Sequence, residues 1–142
     1  MNKAELEFRR ELCERMAGKW TPTIHVENHL TPGVPDMSFV MSALNCETGW
    51  LELKVSDGTR VKVEPGQHAW MRAHAERIPA HFLIKVDQMV FLVRGRSHHL
   101  FAEPITIEEL KSCSVAFFQW RETAKYLSLA LISETRRDRN GK

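Results

Sequence analysis

The sequence predicts an α/β domain in which a central mixed sheet is flanked by helices, and three stretches carry that expectation. Trp50 to Val55 alternates apolar and polar residues, as expected where successive side chains of a strand point to opposite faces, and Met37 to Met41 lies one short link before it. Pro65 opens a helix, since its fixed φ suits a first turn, and two apolar strands follow, Phe82 to Val86 and Met89 to Val93. Lys3 to Ala17 reads as an amphipathic helix that would cover the sheet.

In that first helix Leu6, Arg9, Leu12, Cys13 and Met16 recur at three- and four-residue steps, and Gly18 suits the left-handed residue that ends a helix. Trp20 to Glu27 reads as a strand with Thr23, His25 and Glu27 on one face and Ile24 and Val26 on the other. His25 and His29 have the spacing of a zinc-protease pair only on a helix, and Thr21, Pro22, Thr23 and Val26 argue against a helix there. Two prolines stiffen the turn before Asp36, and Gly33 within it permits close backbone approach, useful where a phosphate must come near. Pro35 has no N–H for a ladder, so it belongs at the mouth of a strand and makes Asp36 the first side chain that strand projects.

Asn45 to Gly49 is short enough to make the flanking strands an antiparallel hairpin. Ser56 to Glu64 is a polar loop whose Arg60 and Lys62 are candidate contacts to nucleic-acid phosphates. The helix from Pro65 to about Arg77 carries Gln67 in its first turn, and Asp87-Gln88 is a two-residue link joining the apolar strands as a hairpin. Thr106 caps a short helix near Ile107 to Leu110. Val115 to Ile132 reads as a longer helix, rich enough in Phe117, Phe118, Trp120, Leu127 and Leu131 to pack on the sheet or on a second copy as a homodimer. Residues 1–135 then form one domain, and residues 136–142 read as a basic, disordered tail.

Composition sets bounds on function. The 142 residues, 43% apolar and 27% charged, suit one domain that buries about two-thirds of its unfolded surface. There is no apolar run near the roughly 20 residues a membrane span needs, and Met1 to Glu7 lacks a signal-peptide core, so the expected location is the cytoplasm. A net charge of +2 argues against a passive DNA coat but leaves room for a cleft with locally clustered cations. Cys13, Cys46 and Cys113 form no Cys-x-x-Cys pair and are expected as reduced thiols.

The hairpin has a chemical reading. Glu52 and Lys54 share one face of their strand, and pairing with the strand that starts at Asp36 brings all three together. A hard cation such as Mg²⁺ takes oxygen ligands at about 2.0–2.1 Å, often one or two carboxylates plus water and phosphate. Asp36 and Glu52 would supply the carboxylates and the Leu53 carbonyl a third oxygen, with Lys54 orienting a water or offsetting charge on a phosphate. The reaction implied is hydrolysis of a phosphodiester.

Pro35-Asp36 followed by Glu52-Leu53-Lys54 resembles the PD-(D/E)XK nuclease superfamily. Gly33-Val34-Pro35-Asp36, with Gln67 and Trp70 on the following helix, is similar to its VRR-NUC branch and to phage-encoded Holliday-junction resolvases. The resemblance spans about Glu5 to Val93 and implies a restriction-endonuclease-like fold. It makes Asp36 and Glu52 metal ligands, Lys54 the catalytic lysine and Gln67 a cleft residue. It also implies an acid on the first helix, for which Glu7 is the candidate, a one-turn shift selecting Glu11; Glu27, on the polar face of its strand, competes for that role.

The activity implied is a Mg²⁺-dependent DNA endonuclease of phage type, in the host cytoplasm, acting on branched DNA such as a Holliday junction. Mn²⁺ would substitute, Ca²⁺ would permit binding with little cleavage, and a dimer would place two clefts on the two strands of a symmetric junction. Two rivals stand beside it: a non-cleaving DNA- or protein-binding module on the same fold, and a site-specific restriction-type endonuclease. Intact Asp36, Glu52 and Lys54 weigh against the first, and the short chain, lacking added recognition segments, against the second.

Overall fold

A computed structural model describes residues 2–26, 32–43, 45–57 and 60–139, with side chains as far as residue 137. Helix α1 (Lys3–Arg15) precedes strands β1 (Trp20–Ile24), β2 (Met37–Met41) and β3 (Thr48–Ser56). Helix α2 (Pro65–His74) then leads into β4 (Ala80–Val86) and β5 (Met89–Arg94), and a 3-10 segment (Gly95–Ala102) connects these to helix α3 (Ile107–Cys113). Strand β6 (Ala116–Gln119) and helix α4 (Thr123–Arg139) complete the described chain.

The six strands lie in sequence order, and β3 pairs parallel with β4 while the other neighbours pair antiparallel. A parallel pair needs a crossover, and α2 is that crossover. The β4–β5 pair closes over Asp87 and Gln88, with Asp87 at φ 51°, a conformation Asp tolerates better than most residues. Both faces of this mixed sheet are covered, the arrangement expected of a restriction-endonuclease-like α/β fold.

Strand alternation divides the core in two. Leu51, Leu53, Leu83 and Leu92 face α1 and α4, where Phe8, Leu12, Leu127 and Leu131 meet them. Phe82, Ile84, Phe91 and Val93 face α2 and α3 with Met71, Phe101 and Leu110. Glu52 and Lys54 share this second face, but at the end of β3 that α2 reaches with its first turn.

Four expectations need correction. The buried stripe of α1 is Phe8, Leu12 and Met16, an even four-residue step, while Leu6 is 45% exposed. An Asn2–Glu5 capping box starts that helix; it contributes about 1 kcal/mol, whereas three buried apolar side chains at about 2 kcal/mol each set the rotation. β1 ends at Ile24 and does not run on toward Glu27; Ile24 is 48% exposed and Val26, past the strand's end, 85%, since neither belongs to the two core clusters.

The expected helix from Val115 to Ile132 splits. Ala116–Gln119 is extended, with Phe118 buried and Phe117 exposed, and it completes the ladder left open along β5. The aromatic pair satisfies a period of 2 as readily as 3.6, and the free edge decides.

The basic tail is also reassigned as far as residue 139, since α4 runs through 135 to Arg139 and Arg136 Nε donates to buried Glu47 at 3.2 Å. Residues 140–142 lie outside the described residues. No described helix is long and apolar enough to cross a membrane.

Two residues before Arg136, α4 is fastened to the sheet by Glu134. Arg94 donates to it from two nitrogens at 2.7 and 3.0 Å, and His81 shares a 2.9 Å hydrogen bond with it. Although burial alone would raise it, bonds from His81 and Arg94 hold the Glu134 carboxyl down to about 2. A depressed carboxyl contributes stability that is fully present above its ordinary pKa of 4.5 and fades as pH falls toward 2. Glu134→Ala is therefore expected to cost about 3 kcal/mol at neutral pH, measured by urea unfolding, and to flatten the stability loss in that acid window.

Candidate active site

At the strand end next to α2, a cleft of about 270 Å³ is bounded by Asp36, Glu52, Lys54, Gln67, Glu5 and Lys62. Asp36 is held from two sides. Its carbonyl accepts the His25 N–H at 2.8 Å, and its Oδ2 accepts the Leu53 N–H at 2.7 Å. The β2 ladder ends at Met37 opposite Leu51, so at Leu53 the edge of β3 lies open and the Asp36 side chain replaces the missing strand. Because a residue's N–H and C=O leave a strand on the same edge, the Leu53 carbonyl faces the Asp36 side as well.

Gln67 locks the other half of the cleft. Its Oε1 accepts from Lys54 Nζ at 2.7 Å and from the Glu64 N–H at 2.9 Å, while its Nε2 donates to Glu52 Oε2 at 2.9 Å. All three of the strand and helix side chains involved are buried, and Lys54 Nζ also lies 3.7 Å from Glu52 Oε2. One amide thus sets the Lys54 and Glu52 rotamers together and ties both to the first turn of α2.

Asp36 and Glu52 stand close enough for each carboxyl to act on the other, an arrangement that favours a proton on one of the two. Burial first, then the neighbouring Asp36 carboxyl, push the Glu52 carboxyl up to about 9, against the pull of Lys54. Burial raises Asp36 too, but the Leu53 N–H, the Glu52 carboxyl and Lys54 oppose it. Glu5 adds negative charge felt by both. A divalent cation replacing that proton would turn a repelling pair into a ligand pair, so the donor set fits a hard ion. Among the described residues no three His, Cys, Asp or Glu side chains form a ready ligand cluster. Were such an ion bound, the protein would offer two carboxylates and the Leu53 carbonyl, a set compatible with Mg²⁺, which usually keeps water and phosphate as its other ligands.

The cleft's acid from α1 is Glu5, not Glu7. Two residues apart on a helix is about 200°, so with Phe8 turned to the core Glu5 lines the cleft and Glu7 is exposed. The Asn-x-x-Glu capping pattern fixes the helix start and was the signal that could have selected Glu5. Glu11 stands away from the cleft and Glu27 lies outside the described residues. Lys62 is at the cleft mouth, 3.4 Å from Glu64, whereas Arg60 is exposed and does not line it. Gly33 has φ +87° and packs on α2: a Cβ there would stand 2.0 Å from the Gly66 carbonyl oxygen. The close approach it permits is therefore to a helix backbone.

No protein-family model matches this chain, and no curated protein matches it.

Proposed function

We propose that the protein is a divalent-metal-dependent DNA endonuclease, as the resemblance to PD-(D/E)XK nucleases implies. The observation that carries the reading is that half-buried Asp36 and buried Glu52 line one cleft together, with buried Lys54 3.7 Å from Glu52. Two adjoining carboxyls with a single lysine are costly to keep ionised together, so a proton or a cation must offset the second charge.

In this reading Asp36, Glu52 and the Leu53 carbonyl hold Mg²⁺, with Mn²⁺ substituting, and Glu5 stands by across the cleft. The bound ion supplies polarisation of a phosphoryl oxygen and a lowered pKa for coordinated water. Lys54 presents its ammonium to the scissile phosphate and offsets the charge that grows on it. Gln67 keeps that ammonium from collapsing onto Glu52, holding it at 3.7 Å. Lys62, at the mouth, meets the flanking phosphate.

Branched DNA is the proposed substrate, with two copies presenting two clefts to a symmetric junction. Tyr126 and Leu129, exposed on α4, are the apolar surface that supports pairing. Incubation with a labelled four-way junction and a matched linear duplex, with Mg²⁺ and with chelator, tests all of this. Mg²⁺-dependent cutting of the junction alone is expected. Cutting of neither favours a binding module, and cutting of one linear sequence favours a restriction-type enzyme.

A further inference from the structure

Beside the cleft, on the same face of β3, four rings stand in an unbroken row. Trp50 is two residues before Glu52, so its side chain projects from the same face about 7 Å along the strand. His25 stacks on Trp50 with centroids 4.8 Å apart and is held by a 2.9 Å hydrogen bond to Ser38. Trp70, one turn along α2 from Gln67, meets Trp50 at 5.5 Å and His74 at 4.4 Å. Three of the rings are half-buried and His74 is exposed. Past Trp50, on the side away from Glu52, a second cleft of about 260 Å³ is walled by Trp50, Ile78 and Pro79.

Trp50 and Trp70 pack against the second core beside Met71 and Phe82, but only in part, and each leaves some of its ring exposed. The row therefore carries aromatic surface outward from the core on the β3 face that holds the charged cleft, with His74 exposed at its end. The two surfaces match the two halves of a nucleotide: phosphate to Lys54 and Lys62, base to the rings. We infer that His25, Trp50, Trp70 and His74 are a stacking platform for unpaired nucleobases of the strand being cut. This deepens the nuclease reading and rests on it for the identity of the strand. A base held there belongs to a nucleotide adjoining the scissile phosphate, so the preferred DNA carries unpaired bases at the break, as at a branch point or flap. A fully paired duplex, whose bases are stacked on one another, gains nothing from the row.

The test uses the full chain in chelator, where no cutting occurs, and two probes: a short single-stranded oligonucleotide and an abasic strand of equal length and charge. The oligonucleotide is expected to bind on the order of tenfold more tightly than the abasic strand and to quench tryptophan fluorescence. Trp70→Leu should remove most of that tenfold preference while leaving affinity for the abasic strand unchanged. His74→Ala, at an exposed position, should reduce the preference without affecting the fold. Equal affinity of the wild-type protein for both probes overturns the platform, as does a Trp70→Leu or His74→Ala protein that weakens both probes alike. Base-dependent binding by a protein that fails to cut junction DNA with Mg²⁺ upholds the platform and removes the nuclease reading. Cutting without any base preference does the opposite.

Discussion

Glu52→Gln is expected to lower Mg²⁺-dependent cleavage on the order of a thousandfold or more while leaving the fold intact. Gln copies the protonated acid in size and in its ability to donate to Asp36, so nothing in the buried network is lost except the means of holding a cation. The effect on stability has a sign that separates this from simple damage. In the folded chain Glu52 keeps its proton up to about 9, whereas unfolding returns it to an ordinary 4.5. Its contribution is therefore complete below pH 4.5 and is lost as pH climbs toward 9, since the unfolded chain ionises first. Thermal melts in chelator should show that decline for the wild type and a flatter curve for Glu52→Gln. Added Mg²⁺ should raise the wild-type melting temperature at pH 8 and leave the variant unmoved. Asp36→Asn should behave like Glu52→Gln toward the ion, while Lys54→Ala should be equally inactive yet keep the Mg²⁺ shift. A Glu52→Gln protein with undiminished turnover would remove the carboxyl pair from the mechanism.

Gly33→Ala is expected to be the most damaging of the glycine-to-alanine changes among the described residues. A left-handed residue with a Cβ costs about 1–2 kcal/mol, and overpacking adds roughly 1–3, for a loss of about 3 kcal/mol by urea unfolding. Neither side can yield cheaply, because the obstacle is the Gly66 carbonyl in the first turn of α2, immediately before Gln67. Relief must move Asp36 or Gln67, so cleavage should fall along with stability. Gly18→Ala is the control. It shares a positive φ, +82°, but a Cβ there meets nothing within 4 Å, so only the conformational cost of about 1 kcal/mol remains. Equal losses for the two glycines would mean that the contact between the turn and α2 carries no strain.

The centre of the fold was readable because its residues leave little choice. Glu52, Leu53 and Lys54 alternate in a way only a strand explains, Pro35 marks where the preceding strand begins, and Pro65 marks where α2 begins. Convergence of Asp36, Glu52, Lys54 and Gln67 follows from those boundaries together with a short hairpin and a crossover helix. What escaped depended on neighbours. The rotation of α1 turns on whether Leu6 or Phe8 meets the sheet, and composition alone does not distinguish two apolar residues two positions apart. The acid that the resemblance put at Glu7 falls at Glu5, because with Phe8 turned inward it is Glu5 that lines the cleft. Ala116 to Gln119 became a strand because β5 had an edge to offer, a fact absent from the local sequence. Arg136 looked like tail chemistry until Glu47, 89 residues earlier, supplied its partner.

The Glu134 anchor bears on the order in which the molecule matures. Every group proposed to hold the ion or to meet a phosphate is encoded before residue 68, yet the floor beneath Leu51 and Leu53 includes Leu127 and Leu131 of α4. During synthesis Asp36, Glu52, Lys54 and Gln67 leave the ribosome long before the segment that braces their strand. A nascent polypeptide thus carries these cleft groups unbraced, and on the proposed reading competence would arrive only once α4 docks and Glu134 finds His81 and Arg94.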